Sequence, residues 1–133
     1  MLSFEEIDRY SRQILVPGWG AEGQEKVRAA RISIRGTGEA AESAILYLAA
    51  AGIGQLTVEA FAEEARALNP LVDVSPGENG TVNVPISIDC SIGDRALSIA
   101  GDEDRAAVGA AAAVEALKAI LGMPYLPRVS IPR

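Results

Sequence analysis

A short glycine-containing turn between a predicted strand and a predicted helix constrains the fold of this chain more than any other feature. Residues 31–35 alternate as a strand does, and Gly36-x-Gly38-x-x-Ala41 follows directly. The first glycine permits a tight turn, the second lets a ligand approach the backbone, and alanine allows close packing of helix on strand. Gly52 is placed to end the helix in a left-handed cap. The pattern predicts an α/β fold with a phosphate loop, or a plain strand–turn–helix corner.

Two acidic residues bear on the choice between these interpretations. Glu39 lies where a nucleotide's phosphates would approach, and at about 5 Å each charge pair would repel by roughly 3 kcal/mol at an effective dielectric of about 20. Glu39 therefore favours the plain corner. Glu59 lies near the end of the next predicted strand, about 20 residues past the glycines, which is the spacing of the ribose-binding acid in nicotinamide sites. Alternatively, Glu59 is a solvent-facing strand residue. The candidate cofactor-binding residues are thus Gly36, Gly38 and Glu59.

Composition excludes several classes of function. The 133 residues carry a net charge of −6, which argues against a nucleic-acid partner or an anionic membrane surface. Histidine is absent and Cys90 is the single cysteine, so His-assisted nucleophiles and cysteine-based zinc sites are excluded. Cys90 itself is expected to be a small packing residue. The longest apolar run, residues 108–114, is too short to span a membrane. The polar N-terminus is not a signal peptide, so the expected location is the cytoplasm.

The remaining elements predict a single α/β domain. Ser3 and Glu6 form a capping-box pattern at the start of a helix expected to reach Leu15. Further helices are predicted over residues 22–30, 61–68 and 102–121, and further strands over residues 55–59, 71–74, 82–88 and 129–131. Because the strands alternate between apolar and polar residues, we expect helices mainly on one face of the sheet. The late helix shows a stripe at helical spacing that predicts its packed face: Ala107, Ala110, Ala111, Val114, Leu117 and Leu121.

Several segments together resemble the ThiF/MoeB/HesA family, the bacterial relatives of ubiquitin-activating enzymes. They are Arg9-Tyr10-Ser11-Arg12-Gln13-Ile14, Gly20 with Gly23-Gln24, the glycine loop, Tyr47-Leu48-Ala49-Ala50-Ala51-Gly52-Ile53-Gly54, Ala67-Leu68-Asn69-Pro70, Asp89-Cys90-Ser91 and residues 109–122. The resemblance implies a Rossmann-like, mostly parallel sheet in shortened form. It also implies one truncated domain over residues 1–133, with an N-terminal helical arm at 1–30 and a core at 31–133. Family members bind ATP and magnesium, adenylate the C-terminus of a ubiquitin-like sulfur carrier, and usually form homodimers.

The family's ligand-contacting positions are altered in this chain. The resemblance puts Arg12 in the place of an arginine that reaches the ATP of the other subunit. The family's ribose-binding aspartate falls on Ala60, one residue after Glu59, and its magnesium-associated aspartate falls on Ile92, two residues before Asp94. The family's thiol-bearing crossover region and zinc cysteines have no counterpart here.

These departures predict a protein that has lost the family's chemistry. We expect a non-catalytic domain that binds no cofactor or metal, with Arg12 as a vestigial catalytic candidate. It would act as a homodimer or as a heterodimer with an intact ThiF-like protein. One alternative is an ATP- and magnesium-dependent adenylyltransferase for a ubiquitin-like sulfur carrier. The other is a small NAD-binding domain.

Overall fold

The computed structural model describes residues 1–77, 86–89 and 105–124. The helices are α1 (Phe4–Arg9), α2 (Ser11–Ile14), α3 (Gly20–Ala29), α4 (Glu39–Ala51), α5 (Ala62–Leu68) and α6 (Arg105–Leu121). The strands are β1 (Arg31–Arg35), β2 (Gln55–Val58), β3 (Asp73–Pro76) and β4 (Ile86–Asp89). The predicted strand residues 82–85 and 129–131, Cys90, Ile92 and Asp94 lie outside the described residues.

The four strands form one parallel sheet in the order β3-β2-β1-β4. Ile34 of β1 is paired with Val58 of β2 on one side and with Ile88 of β4 on the other. Because the strands are parallel, the turns that follow β1 and β2 lie at the same edge of the sheet. The chain order reverses at β1, where open α/β sheets commonly bind ligands. The α/β, Rossmann-like fold class predicted from the sequence is confirmed.

The core lies between the sheet and the helices α4 and α6. Ile32, Ile34, Leu56 and Val58 point into it from the two central strands and are almost completely buried. The alanines of α4 let α6 approach closely: a Cβ added at Gly109 would lie 2.0 Å from the carbonyl oxygen of Ala40. Small residues at this helix crossing therefore set the spacing between the two helices.

This crossing also corrects part of the predicted face of the late helix. The buried residues of α6 are Gly109, Ala112, Ala113, Glu115 and Ala116, whereas the predicted stripe is exposed or only half-buried. Leu117 and Leu121 of the stripe do pack against the core, but contact with α4 at backbone distance selects glycine and alanine on the neighbouring face. Val114 is 43% exposed, which places it clearly outside the core.

The N-terminal helix and the third strand also differ from their predicted bounds. The helix expected to reach Leu15 is interrupted at Tyr10, whose backbone (φ −104°, ψ 16°) leaves the helical region while its ring turns inward. The strand predicted at residues 71–74 starts at Asp73 instead. The backbone N–H of Leu71 donates to the side chain of Asn69, so the turn after α5 extends further than the sequence suggested.

Helices cover the apolar face of the sheet, and its other face is polar. Arg31 and Arg35 of β1 are exposed on that second face and Ser33 is half-buried, as the alternation predicted. Thr57 of β2 lies on the same face but is 4% exposed, so the polar face is not uniformly open. Within the described ranges, no helix combines the length and apolar character needed to cross a membrane.

Candidate functional site

The glycine loop joins β1 to α4 as the sequence predicts. Gly36 is buried and has a φ of 125°, a conformation that L side chains rarely adopt, so a glycine is required at this turn. Gly38 is the N-cap of α4, and Thr37 between the two glycines is exposed. The first turn of α4 leaves backbone N–H groups directed at the loop, as every helix N-terminus does. Two elements of an anion site, the turn and the helix end, are therefore present.

A carboxylate of the chain itself contacts this loop. Glu59 follows β2 at the same edge of the sheet, and its Oε2 accepts a hydrogen bond of 3.1 Å from the backbone N–H of Gly36. The residue is exposed, as expected for a solvent-facing position, but its carboxylate is engaged. Gly36 and Glu59, two of the three candidate cofactor-binding residues, are thus in direct contact.

Further acidic side chains surround the start of α4. Glu39 is its first residue and Glu42 lies in the same turn, and both are exposed. Carboxylates near a helix N-terminus interact favourably with the helix dipole. The positive end of α4 is therefore already balanced by negative charge from the protein. An additional anion would be repelled by these groups, while Gly36 already donates to Glu59.

Arg12 lies far from the glycine loop. It is an exposed residue of α2, and the neighbouring Gln13 donates a hydrogen bond of 2.7 Å to the carbonyl oxygen of Ala51 at the last residue of α4. The loop lies at the other end of this 13-residue helix, about 18 Å away at about 1.5 Å per residue. An arginine side chain does not span that distance, so Arg12 cannot reach the glycine loop of its own chain in this structure.

Four side chains, called the helix-end cluster below, surround the C-terminal end of α4: Tyr10, Gln13, Gln24 and Asn69. Asn69 is 1% exposed, and its Nδ2 donates to the Tyr10 hydroxyl and to the carbonyl oxygen of Ala49, both at 2.8 Å. Tyr10 is 4% exposed. The carbonyl oxygen of Ala49 also accepts the backbone N–H of Gly52, so Asn69 adds a second hydrogen bond at a helix end where carbonyls lack partners within the helix.

The amide side chains of Gln13 and Gln24 complete the cluster. Gln24 is buried, and its Nε2 donates to the carbonyl oxygen of Ala51 at 3.0 Å. Its Oε1 accepts from Gln13 and from the indole N–H of Trp19. Gly52 fits beneath this network with a φ of 90°, and an added Cβ there would lie 2.5 Å from the Tyr10 ring. The predicted left-handed cap at Gly52 is confirmed.

Sequence reasoning did not predict the helix-end cluster, although a signal for it was present. Tyr10, Gln13, Gln24 and Asn69 all belong to the segments that resemble the ThiF/MoeB/HesA family. Those segments suggested nucleotide chemistry. In the structure three of the four residues donate to the last carbonyls of α4, and Tyr10 accepts from Asn69. Their separation in the sequence, with Tyr10 and Asn69 59 positions apart, concealed that they meet.

A second set of polar contacts attaches the first residues of the chain to α3. The predicted capping box is confirmed, because Ser3 and Glu6 each accept the backbone N–H of the other. Glu6 also pairs with Arg28 at 3.1 Å. The hydrogen bond from the backbone of Ser3, followed by the contact with Arg28, lowers the pKa of Glu6 below its ordinary value of 4.5. Arg28 also donates to the carbonyl oxygen of Met1.

An open apolar groove lies beside the C-terminal half of α4. Leu46, Tyr47 and Ala50 of α4 line it together with Leu68 of α5, and its volume is about 210 Å³. Tyr47 is 56% exposed and Leu68 45% exposed, both high values for large apolar side chains. The groove therefore lies beside the half of α4 that ends at Ala51, which Gln13, the neighbour of Arg12, contacts.

The described residues provide no ready metal site. Among them, no three His, Cys, Asp or Glu side chains are arranged to hold an ion. Glu39, Glu42 and Glu59 are carboxylates near the loop. Glu59 is bonded to the backbone of Gly36, which is not the arrangement that holds a magnesium ion between carboxylates and phosphates. These residues fit a magnesium-bound nucleotide poorly.

Known proteins resemble this chain over its N-terminal part. Residues 10–61 match the ThiF family. A 60-residue segment is 47% identical to the molybdopterin-synthase adenylyltransferase of Salmonella typhimurium, covering 45% of this chain and 24% of that protein. Another is 42% identical over 60 residues to the probable adenylyltransferase/sulfurtransferase MoeZ of Mycobacterium tuberculosis, covering 45% of this chain and 15% of that protein. The matched segment is thus less than a quarter of each of these relatives.

Solved structures extend the likeness of fold over most of the chain. The crystal structure of PaaA has a TM-score of 0.69 at 16% identity, covering 96% of this chain and 78% of PaaA. A crystal structure of E. coli MccB with ATP has a TM-score of 0.65 at 15% identity, covering 92% of this chain and 66% of MccB. The sequence matches, the glycine loop and the parallel sheet agree with one another, and the resemblance of this chain to the ThiF/MoeB/HesA family is confirmed, with residues 10–61 as its ThiF-family segment.

Proposed function

We propose that this chain is a non-catalytic ThiF-like domain that acts by associating with a second copy of itself or with an intact ThiF-like protein. The observation that carries the proposal is the contact between Glu59 and the backbone N–H of Gly36. A nucleotide would have to displace this internal carboxylate while approaching Glu39 and Glu42, which are both exposed at the same helix end. At about 5 Å, each such charge pair would oppose binding by roughly 3 kcal/mol at an effective dielectric of about 20.

The opposite end of α4 supports the association part of the proposal. Tyr47 and Leu68 expose apolar surface in the groove, and the removal of such surface from water favours binding. Arg12 lies at the same end, and in this structure its guanidinium cannot serve the glycine loop of its own chain. A partner seated on the groove would contact the half of α4 that ends at Ala51, where Gln13, the neighbour of Arg12, is bonded. This arrangement fits an arginine that is either a relic or a group offered to a partner's nucleotide.

Calorimetry with Mg-ATP, AMP and NAD tests the loss of cofactor binding. We expect no appreciable heat of binding from any of the three. A dissociation constant near or below about 0.1 mM, which corresponds to about −5.5 kcal/mol, would overturn the proposal. Binding of ATP would then favour the adenylyltransferase alternative, and binding of NAD would favour the small NAD-binding domain.

Light scattering at micromolar concentration, combined with a search for co-purifying ThiF-like proteins, tests association. We expect a mass above that of one chain or a captured family member. If a partner enzyme is found, Arg12→Ala separates the two interpretations of this arginine, with Arg9→Ala as the control of equal charge change. A donated arginine should cost the partner about 10²–10³-fold in turnover, and a relic should cost nothing. A clean monomer with no partner would contradict the association hypothesis.

The adenylyltransferase alternative also rests on a specific observation. The 47%-identical segment belongs to a protein named molybdopterin-synthase adenylyltransferase. If this chain shared that activity, it would release pyrophosphate from ATP in the presence of a ubiquitin-like sulfur carrier. An ATP–pyrophosphate exchange assay with such a carrier detects this reaction, and we expect no exchange above the level without protein.

A further inference from the structure

Residues 1–16, called the strap below, are attached to the rest of the protein in an unusual way. The strap carries α1 and α2, and neither helix has a buried residue. Only Leu2 and Tyr10, which flank α1, are buried. Phe4 and Leu15 point to solvent, at 92% and 82% exposed. Hydrophobic packing of the strap is therefore confined to these two side chains, and α1 and α2 themselves contribute little to it.

Polar contacts attach the strap to the rest of the protein at two points. At one point, Tyr10 and Gln13 join Gln24 and Asn69 in the helix-end cluster. At the other, Glu6 pairs with Arg28, and the amino group of Met1 lies 3.3 Å from Glu25. The two ion pairs are partly exposed and contribute little. The helix-end cluster is therefore the main attachment of the strap.

Two residues of the helix-end cluster belong to the strap, and two belong to the rest of the chain, which is called the body below. Tyr10 and Gln13 belong to the strap. Gln24 and Asn69 belong to the body, and they hold the carbonyl oxygens of Ala51 and Ala49 by their own hydrogen bonds. If the strap leaves, the end of α4 keeps these caps, and the freed groups of Tyr10 and Gln13 are solvated. Opening therefore exchanges the Asn69–Tyr10 and Gln24–Gln13 hydrogen bonds for bonds to water, and it leaves neither helix-end carbonyl unpaired, which is the condition that would make it costly.

We propose that the strap opens and closes as one unit, with the helix-end cluster as its latch. The turn at Pro17-Gly18, where Gly18 has a φ of 86°, ends the strap, and α2 is the strap segment next to this turn. Arg12 lies within this segment, so the state of the strap decides where its guanidinium is. Segments held by few apolar contacts open at lower free energy than the global transition. Strap opening does not require the proposed function to be correct, whereas any use of Arg12 by a partner does.

Trypsin cleavage after Arg9 in the native full chain measures this opening. Gln13→Glu replaces the amide donor by a carboxylate facing the oxygens of Gln24 and Ala51. We expect cleavage after Arg9 to accelerate at least tenfold, the factor given by about 1.4 kcal/mol. Gln55→Glu is the matched control, since it makes the same charge change at a half-buried glutamine outside the latch, and it should leave this rate unchanged. Tyr10→Phe removes one hydroxyl and should accelerate cleavage by about threefold.

Global unfolding in urea is followed by circular dichroism, because Trp19, the only tryptophan, donates to Gln24 of the latch and would itself respond to strap opening. A change in the cleavage rate that exceeds the change in unfolding free energy distinguishes strap opening from general destabilisation. We expect Tyr10→Phe and Gln13→Glu to change cleavage after Arg9 far more than cleavage after Arg66 on α5. Equal acceleration at both sites, or an unchanged rate after Arg9 in both variants, would overturn the proposal. If Gln13→Glu does not fold, Tyr10→Phe alone decides. Neither assay uses nucleotide or partner, so failure here leaves the proposed function untouched.

Discussion

The two ends of α4 have opposite surroundings. At the N-terminal end, Glu39 and Glu42 flank the glycine loop and Glu59 accepts the Gly36 N–H. At the C-terminal end, neutral amides from three distant segments donate to the last carbonyls. The first end has the backbone shape of a phosphate site and the wrong charge for one. The second end has no shape that suggests chemistry, yet it contains the most extensive buried polar network among the described residues.

This contrast teaches that a family resemblance can be carried by residues that maintain the fold. A helix N-terminus attracts negative charge, and here side-chain carboxylates supply it. A helix C-terminus needs donors, and here Gln13, Gln24 and Asn69 supply them. Replacement of an exposed acid at the first end costs little stability, whereas loss of a buried donor at the second end removes hydrogen bonds from a network that is shielded from water. The two ends are therefore expected to respond very differently to substitution.

Gly52→Ala should give the largest effect. The residue must keep a φ of 90°, and the new Cβ would lie 2.5 Å from the Tyr10 ring and 2.8 Å from Gln24 Nε2. We expect a loss of about 3 kcal/mol in the free energy of unfolding, from backbone strain and displacement of the cluster. Gly122→Ala is the matched control, because Gly122 has a φ of 77° with no atom within 4 Å of the added Cβ. It should lose only about 1 kcal/mol. Equal losses in urea titrations would show that the cluster does not constrain Gly52.

Asn69→Ala should give the next largest effect. It removes the donor to Tyr10 and Ala49 and the acceptor of the Leu71 N–H, all at a position that is 1% exposed. We expect a loss of about 2 kcal/mol in the free energy of unfolding. Gln55→Ala, at a half-buried amide, serves as the control and should change stability by less than about 0.5 kcal/mol. A loss for Asn69→Ala as small as the control's would contradict the capping role.

Mild acid should loosen the strap before it affects the body. The folded pKa of Glu6 lies below its ordinary value of 4.5, because the Ser3 backbone and Arg28 stabilise the carboxylate. The contribution of Glu6 to stability is therefore fully present above pH 4.5 and is lost as the pH falls through the lower folded pKa. Hydrogen exchange of α1 should accelerate in that range before exchange of α4 does. In Glu6→Gln this pH dependence of α1 should disappear, and its persistence would assign the effect to another group.

Glu39→Gly should give the smallest effect, at the opposite end of α4. Glu42 and Glu59 would remain as repelling charges near the loop, and the acids that the family resemblance assigns to Ala60 and Ile92 would still be missing. We therefore expect no shift of the thermal unfolding midpoint on addition of Mg-ATP to this variant. The wild-type chain with the same additions is the control. Nucleotide-dependent stabilisation of Glu39→Gly alone would show that Glu39 is the single barrier and would favour the adenylyltransferase alternative.

The local part of this structure was predictable from the sequence. The capping box at Ser3, the strand at 31–35, the glycine turn and the left-handed cap at Gly52 all follow from preferences of single residues or short patterns. The packed face of α6 was not predictable in the same way. Its interface is selected by backbone contact between Gly109 and Ala40, and hydrophobic spacing carries no information about such contact.

In the candidate site, too, some features were predictable from the sequence and others were not. The sequence by itself determined where a phosphate loop would be and that Glu39 makes it acidic, because loop and acid are neighbours in the chain. Only the tertiary structure decided that Glu59 bonds to Gly36, that Arg12 lies at the far end of α4, and that Tyr10 meets Asn69. Helix ends need partners, but a sequence does not state which distant side chains supply them. The fold supplies them here, by bringing the strap, α3 and the turn after α5 to the last carbonyls of one helix.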